Sequence, residues 1–188
     1  MRFAKTALDG LWIIEVEAHA DERGLFARTF CADEFRRYGL SERFVQCNTS
    51  WNAREGTLRG LHYQLAPSAE AKLVRCTAGS LLDVAVDLRP ESGTYLRHVS
   101  VELSARNRRA LYIPENFAHG FQTLEDGTEA FYQMSEFYAP SLARGLRYDD
   151  PKLGIRWPLP VTSISEKDLQ WDFIEPGTGG GVARAEAR

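Results

Sequence analysis

The stretch GTLRGLHYQL, residues 56–65, sets Arg59 and His62 among residues otherwise suited to a half-buried strand. An imidazole of ordinary pKa, about 6.5, is largely neutral at physiological pH and can take a proton as a general base. Such a base needs a carboxylate to orient it. Asp83, Asp87 and Asp168 are candidates, and spacing does not choose among them. The return step needs a proton donor. Tyr132 and Tyr138, in FYQMSEFY, share strand parity and are expected to face one cavity. Arg59, Lys72 and Arg23 supply positive charge, and Arg suits planar recognition of phosphate or carboxylate.

His119, in IPENFAHGF, adds a second imidazole on another strand and opens a metal reading. Metal sites take three or more well-placed ligands. Barrel metalloproteins of the cupin type carry a His-x-His pair with a Glu nearby. Here the corresponding pair is His62 and Gln64, one imidazole short.

The elements that must position these groups are short strands. Alternating apolar residues recur in 11–19, 43–51, 57–65, 71–79, 80–90, 94–104, 109–114, 118–125 and 128–138. Turn signals such as TAGS, RPESGT and EDGT separate them. The spacing predicts an all-β sandwich or barrel. A helix is expected over 31–40, stopped by Gly39, and a helical turn over 165–171 with Ser165 as its N-cap. Arg59 and His62 have opposite parity, so a regular strand sends them to opposite faces. A bulge at Gly60 restores a common face.

The whole chain limits the function classes. Its 188 residues are 44% hydrophobic and 26% charged, as expected of one domain over 1–175. Residues 176–188, rich in Gly and Ala, read as a flexible tail. A net charge of -3 gives no global field for nucleic acid or membrane, and Arg106, Arg108 and Arg109 read as a solvated turn. Three cysteines without Cys-x-x-Cys spacing indicate no disulfide framework and fit a reduced, cytoplasmic setting. The N-terminal residues read as neither a signal peptide nor a membrane span.

In order along the chain, DERGLFARTF, QCNTS, GTLRGLHYQ, KLVRC, DVAVDLR, IPENFAHGFQTL, FYQMSEFYAP, YDDPKLGIRWP and ISEKD closely resemble the dTDP-4-dehydrorhamnose 3,5-epimerases. The resemblance runs from about Leu11 to Asp168. It implies a cupin-like jelly roll, a homodimer, and a reaction without cofactor or metal on a nucleotide-linked 4-keto-6-deoxy sugar. By resemblance, His62 is the base, Tyr132 the acid, Asp168 the carboxylate orienting the base, and Lys72 the cation near the enolate oxygen. Arg59 and His119 fall at pocket positions, and Tyr138 at the aromatic that stacks on the nucleobase. Arg23, Phe26, Gln46, Asn48 and Lys167 fall at further binding positions, some donated across the dimer.

Three positions depart from the family pattern. Arg28 stands where many members carry a Glu that contacts the base or ribose region, Cys47 where Asp is common, and Asn52 where Ser is common. They leave the His62–Tyr132 pair intact and keep open an epimerase acting at C3 or C5 alone, or on a CDP- or GDP-linked keto sugar. A metal-dependent cupin enzyme and a non-catalytic sugar-nucleotide-binding module are the readings from other classes. The joint presence of base, acid and Lys72 argues against simple binding.

Overall fold

The computed structural model describes residues 1–174; the reading of 176–188 as a tail lies outside them. In chain order the elements are β1 (Arg2–Lys5), β2 (Trp12–Glu15), β3 (His19–Asp21), β4 (Gly24–Phe26), α1 (Ala32–Arg37), β5 (Gln46–Asn52), β6 (Leu58–Gln64), β7 (Lys72–Ala78), β8 (Ser80–Asp87), β9 (His98–Ser104), β10 (Ala110–Ile113), β11 (Phe117–Thr123), β12 (Thr128–Met134), β13 (Ala143–Gly145) and α2 (Glu166–Leu169).

The strands form two antiparallel sheets in a jelly-roll arrangement. One has the order β1-β2-β10-β7-β12-β5, the other β13-β6-β11-β8-β9. Their facing sides bury Val74, Cys76, Leu111 and Ile113 against Leu81, Ala85, Leu103, Phe117 and Phe121. Burying such side chains stabilises the fold by about 1.5–3 kcal/mol each. The outer faces are covered as well. Phe35 of α1 and Leu40 pack on Ile14, Leu73, Ala110 and Tyr112 of the first sheet. Leu146, Leu153, Ile155 and Trp157 pack on Leu61, Tyr63, Val84 and Val86 of the second.

Covering both faces changes the meaning of the alternation in β8. Leu82, Val84 and Val86 lie on its outer side, yet Asp83 and Asp87 on the other side are fully buried. Asp83 bonds to His119. Asp87 accepts hydrogen bonds from Nε and Nη2 of Arg89, each at 2.8 Å, and from the hydroxyls of Ser92 and Thr94. Arg89 in turn lies over the Phe117 ring, 4.8 Å from its centre.

Several boundaries differ from the sequence reading. The strand expected over 11–19 stops at Glu15, and His19 opens a separate hairpin, β3–β4, that pairs with neither large sheet. The strand expected over 94–104 begins at His98, because 94–97 turn around Ser92 and Asp87. The strand expected over 128–138 ends at Met134. β1 and β13, both short, carry too few residues to show a period. α1 is shorter than 31–40, and Gly39 ends it in the left-handed region at φ +69°. The 106–109 turn is there, with Arg109 paired to Glu15 at 3.0 Å.

Burial alone would raise the pKa of Asp87, but its bonds to Arg89, Ser92 and Thr94 hold it well below the usual carboxylate range. A depressed folded pKa contributes stability above the unfolded value, about 3.9, and that contribution fades as pH falls towards the folded value. Asp87→Asn is therefore expected to cost about 2–4 kcal/mol at neutral pH. Denaturant titrations of both proteins should show the gap constant above about pH 5 and narrowing below about pH 4.

Candidate active site

The site begins at the bulge in β6. Arg59 pairs with Phe121 and His62 with His119, so three steps along β6 match two along β11. The extra residue turns Leu61 outward into the covering layer, while Arg59 and His62 both line one cavity. The parity conflict in the sequence is resolved as the glycine indicated. Gly60 adopts φ +126°, and a Cβ there would sit 2.5 Å from Gly120 Cα and 2.9 Å from the His119 carbonyl oxygen. Neither a side chain nor an ordinary strand geometry fits at this crossing.

The cavity has a volume of about 620 Å³, within the range of small-molecule sites. It lies between the sheets, lined by β5, β6, β7, β11 and β12, and by residues 163–171. The inner side of β5 contributes Gln46, Asn48 and Ser50; β12 contributes Tyr132 and Met134. This polar row beside a polar strand leaves space where the rest of the sandwich is filled by Leu and Val.

Of the three candidate carboxylates, the tertiary structure gives His62 to Asp168. His62 Nε2 lies 2.6 Å from Asp168 Oδ1. A carboxylate only accepts, so Nε2–H donates and Nδ1 is left with the lone pair. Asp168 is held on several sides. The Ser165 hydroxyl caps α2 by accepting from the Asp168 N–H at 3.1 Å, as expected, and Oδ2 accepts from the Gly60 N–H at 3.3 Å. Burial would raise the Asp168 pKa, yet the bonds from His62, Gly60 and Ser165 together bring it below the ordinary value. The carboxylate thus stays charged beside the imidazole.

The other proposed residues divide clearly. Lys72 is buried, donates to the His62 carbonyl oxygen at 3.2 Å, and pairs with Glu70 at 3.0 Å. His119 is buried with Nε2 2.6 Å from Asp83 Oδ1. Tyr138 and Lys167 line the cavity, and the Tyr138 N–H donates to Gln46 Oε1 at 3.1 Å. Tyr132 and Tyr138 therefore share the cavity, but not through strand parity, since Tyr138 lies beyond the end of β12. Arg23 and Phe26 do not line it. Arg23 sits in the β3–β4 turn, paired with Asp21 at 2.5 Å, and Phe26 is 75% exposed. Arg28, too, lies outside the cavity and pairs with Glu34 at 2.9 Å.

Gln64, at the position of the second cupin imidazole, is committed elsewhere. Its amide nitrogen donates to Glu70 at 2.9 Å and to the Ser68 and Phe137 carbonyls, and its oxygen accepts from the Ala139 N–H at 2.6 Å. It ties β6 to the segment carrying Tyr138. Among the described residues no three His, Cys, Asp or Glu side chains assemble as a metal-ligand set.

Sequence reasoning missed Glu70, Arg144 and Trp171, which also line the cavity. Glu70 and Arg144 had no motif to mark them. The Trp171 indole lies flush on Gly145, where a Cβ would approach it to 2.3 Å. Charge in the cavity is uneven. Its carboxylates are paired, Glu70 with Lys72 and Asp168 with His62, whereas Arg59, Arg144 and Lys167 have no carboxylate partner among the described residues. A base, a phenol and surplus cations in one cavity suit an anionic substrate that exchanges protons.

The model of the dTDP-4-dehydrorhamnose 3,5-epimerases matches residues 5–175. The chain belongs to this family. It is 49% identical over 173 residues to the dTDP-4-dehydrorhamnose 3,5-epimerase of Methanothermobacter thermautotrophicus, covering 90% of this chain and 92% of the relative. Its fold matches that of a Legionella pneumophila dTDP-6-deoxy-D-glucose-3,5-epimerase in complex with dTDP-4-keto-L-rhamnose. The TM-score is 0.86 at 40% identity, covering 92% of each chain. It also matches ChmJ, a 3′-monoepimerase from Streptomyces bikiniensis in complex with dTDP-quinovose, at TM-score 0.84 and 32% identity, covering 90% of this chain and 86% of that one.

The crossing of β6 and β11 is the most sensitive point of the site. Gly60→Ala is expected to lower stability by more than ~3 kcal/mol, because backbone must move and φ is positive. An unfolding midpoint equal to that of the parent would show that the two strands separate freely.

Proposed function

We propose that this chain epimerises C3 and C5 of dTDP-4-dehydro-6-deoxy-D-glucose, giving dTDP-4-dehydro-L-rhamnose, with no metal or cofactor. The observation that carries the reading is the His62–Asp168 bond at 2.6 Å in a cavity also lined by Tyr132 and Lys72. The 4-keto group acidifies the hydrogens on C3 and C5. His62 Nδ1 takes such a proton, becoming an imidazolium beside the charged Asp168. The electron pair moves to the keto oxygen, giving an enolate that the Lys72 ammonium stabilises. Tyr132 returns a proton to the opposite face of the planar enolate. The imidazolium then loses its proton to solvent and the phenolate regains one.

Binding follows from the same cavity. Arg59 and Lys167 take the diphosphate, Tyr138 stacks on the base, and Gln46, Asn48 and His119 contact the remaining polar groups. The enzyme is a homodimer in which Arg23 and Phe26 of one protomer reach the partner's cavity. Two features support this: β3–β4 pairs with neither large sheet, and Trp51 on the outer side of the edge strand β5 is 62% exposed. The chain is cytoplasmic in this reading, in keeping with unpaired Cys31, Cys47 and Cys76. No helix among the described residues is long and apolar enough to cross a membrane.

Incubation with dTDP-4-keto-6-deoxyglucose in D2O, followed by NMR, should place deuterium at both C3 and C5. Deuterium at one carbon would make the protein a mono-epimerase, and none would overturn this substrate. His62→Ala should lose at least ~100-fold in turnover, while Tyr132→Phe should retain more proton removal than product formation. For the dimer, Arg23→Ala and His62→Ala chains, each impaired alone, should recover activity on mixing, because the mixed dimer contains one complete site. No recovery after subunit exchange, itself verified by mass, would place Arg23 outside the shared site.

A further inference from the structure

Asn52 ends β5 on the side that faces the second sheet, and it is 2% exposed. Its amide is fully used. Nδ2 donates to the Ser50 carbonyl at 3.0 Å and to the Thr128 carbonyl at 3.1 Å, and Oδ1 accepts from Arg59 Nε at 2.7 Å. Carbonyl oxygens only accept, so the amide has one orientation, with its oxygen towards Arg59. β5 and β6 belong to different sheets. No strand pairing sets the position of Arg59 relative to β5; this side-chain bond does.

The bond to Asn52 is the one hydrogen bond the Arg59 side chain makes among the described residues, so both terminal nitrogens of the guanidinium are left for a ligand. Those two nitrogens form the fork that matches two oxygens of a phosphate. An arginine held at Nε keeps the fork in the cavity before the ligand arrives, and less freedom is lost on binding. A serine at this position would be too short to reach both carbonyls and Arg59.

We infer that Asn52 is a positioning residue that pre-orients Arg59 for the diphosphate of the substrate. This rests on the proposed role of Arg59. Asn52 touches no reacting atom, so its effect should fall on binding and pass entirely through Arg59.

A double-mutant cycle with dTDP and with inorganic pyrophosphate, read by calorimetry, tests this. Asn52→Ser should weaken dTDP about 3- to 10-fold and Arg59→Ala about 10- to 100-fold, while the double variant should match Arg59→Ala alone. Under turnover Asn52→Ser should raise KM with kcat within about twofold of the parent. Thermal unfolding of each variant checks folding, and Asn52→Thr replaces the Ser variant should that not fold. Parent-like dTDP binding by Asn52→Ser, beside weakened Arg59→Ala, would overturn the inference and leave the function reading intact. So would an equal loss from Asn52→Ser in the Arg59→Ala background, which would mark a purely structural role. Parent-like binding by Arg59→Ala would overturn the diphosphate role of Arg59 itself, and the inference with it.

Discussion

At the middle of the second sheet two backbones cross with no side chain between them. Gly60 and Gly120 face each other so closely that a Cβ on either would strike the opposite strand. This close approach allows β6 to carry an extra residue against β11, and the extra residue sets what the strand presents. Without it His62 and Arg59 would point to opposite sides, one into the cavity and one into the apolar layer around Leu146 and Trp157. A charged guanidinium or an imidazole in that layer would be desolvated without a partner. The bulge therefore serves the core and the site at once.

The second dependence runs through the chain's C-terminal part. Residues 163–171 lie along β6, joined by the Leu58 N–H to the Ser163 carbonyl at 2.8 Å. A capped single turn then delivers Asp168 to His62, and the Gly60 N–H of the bulge reaches the same carboxylate. Imidazole, carboxylate and strand irregularity form one hydrogen-bonded unit. The result is an imidazole whose free nitrogen is the acceptor, in a cavity whose cations, without a carboxylate partner among the described residues, favour an anionic ligand.

The two His–Asp pairs are alike in distance and differ in setting. His119 is nearly enclosed and its Asp83 is fully buried, whereas His62 is open to the cavity. Proton transfer to and from substrate needs access as well as an oriented ring. Geometry thus separates an imidazole open to proton exchange from a fixed polar wall, although both are histidines beside aspartates.

Much of this was legible in the residues. Period-two alternation and turn spacing indicated an all-β sandwich because side chains on a strand alternate faces. Gly60 between Arg59 and His62 signalled a bulge because parity demanded one, and Ser165 marked the start of α2. The ordered motif blocks indicated the family. Short elements and partners were not legible. β1, β13 and the β3–β4 hairpin have too few residues to show a period, and Tyr138 reaches the cavity from beyond a strand end. The sequence by itself determined which chemical groups exist and, along a regular strand, which of them share a face, since that follows from local backbone geometry. Only the tertiary structure decided that Asp168 bonds to His62, that Asp83 holds His119, and that Asn52 reaches Arg59 across the sandwich. Those choices are made by contacts between segments distant in the chain or in different sheets, where distance and burial act and local pattern carries no information.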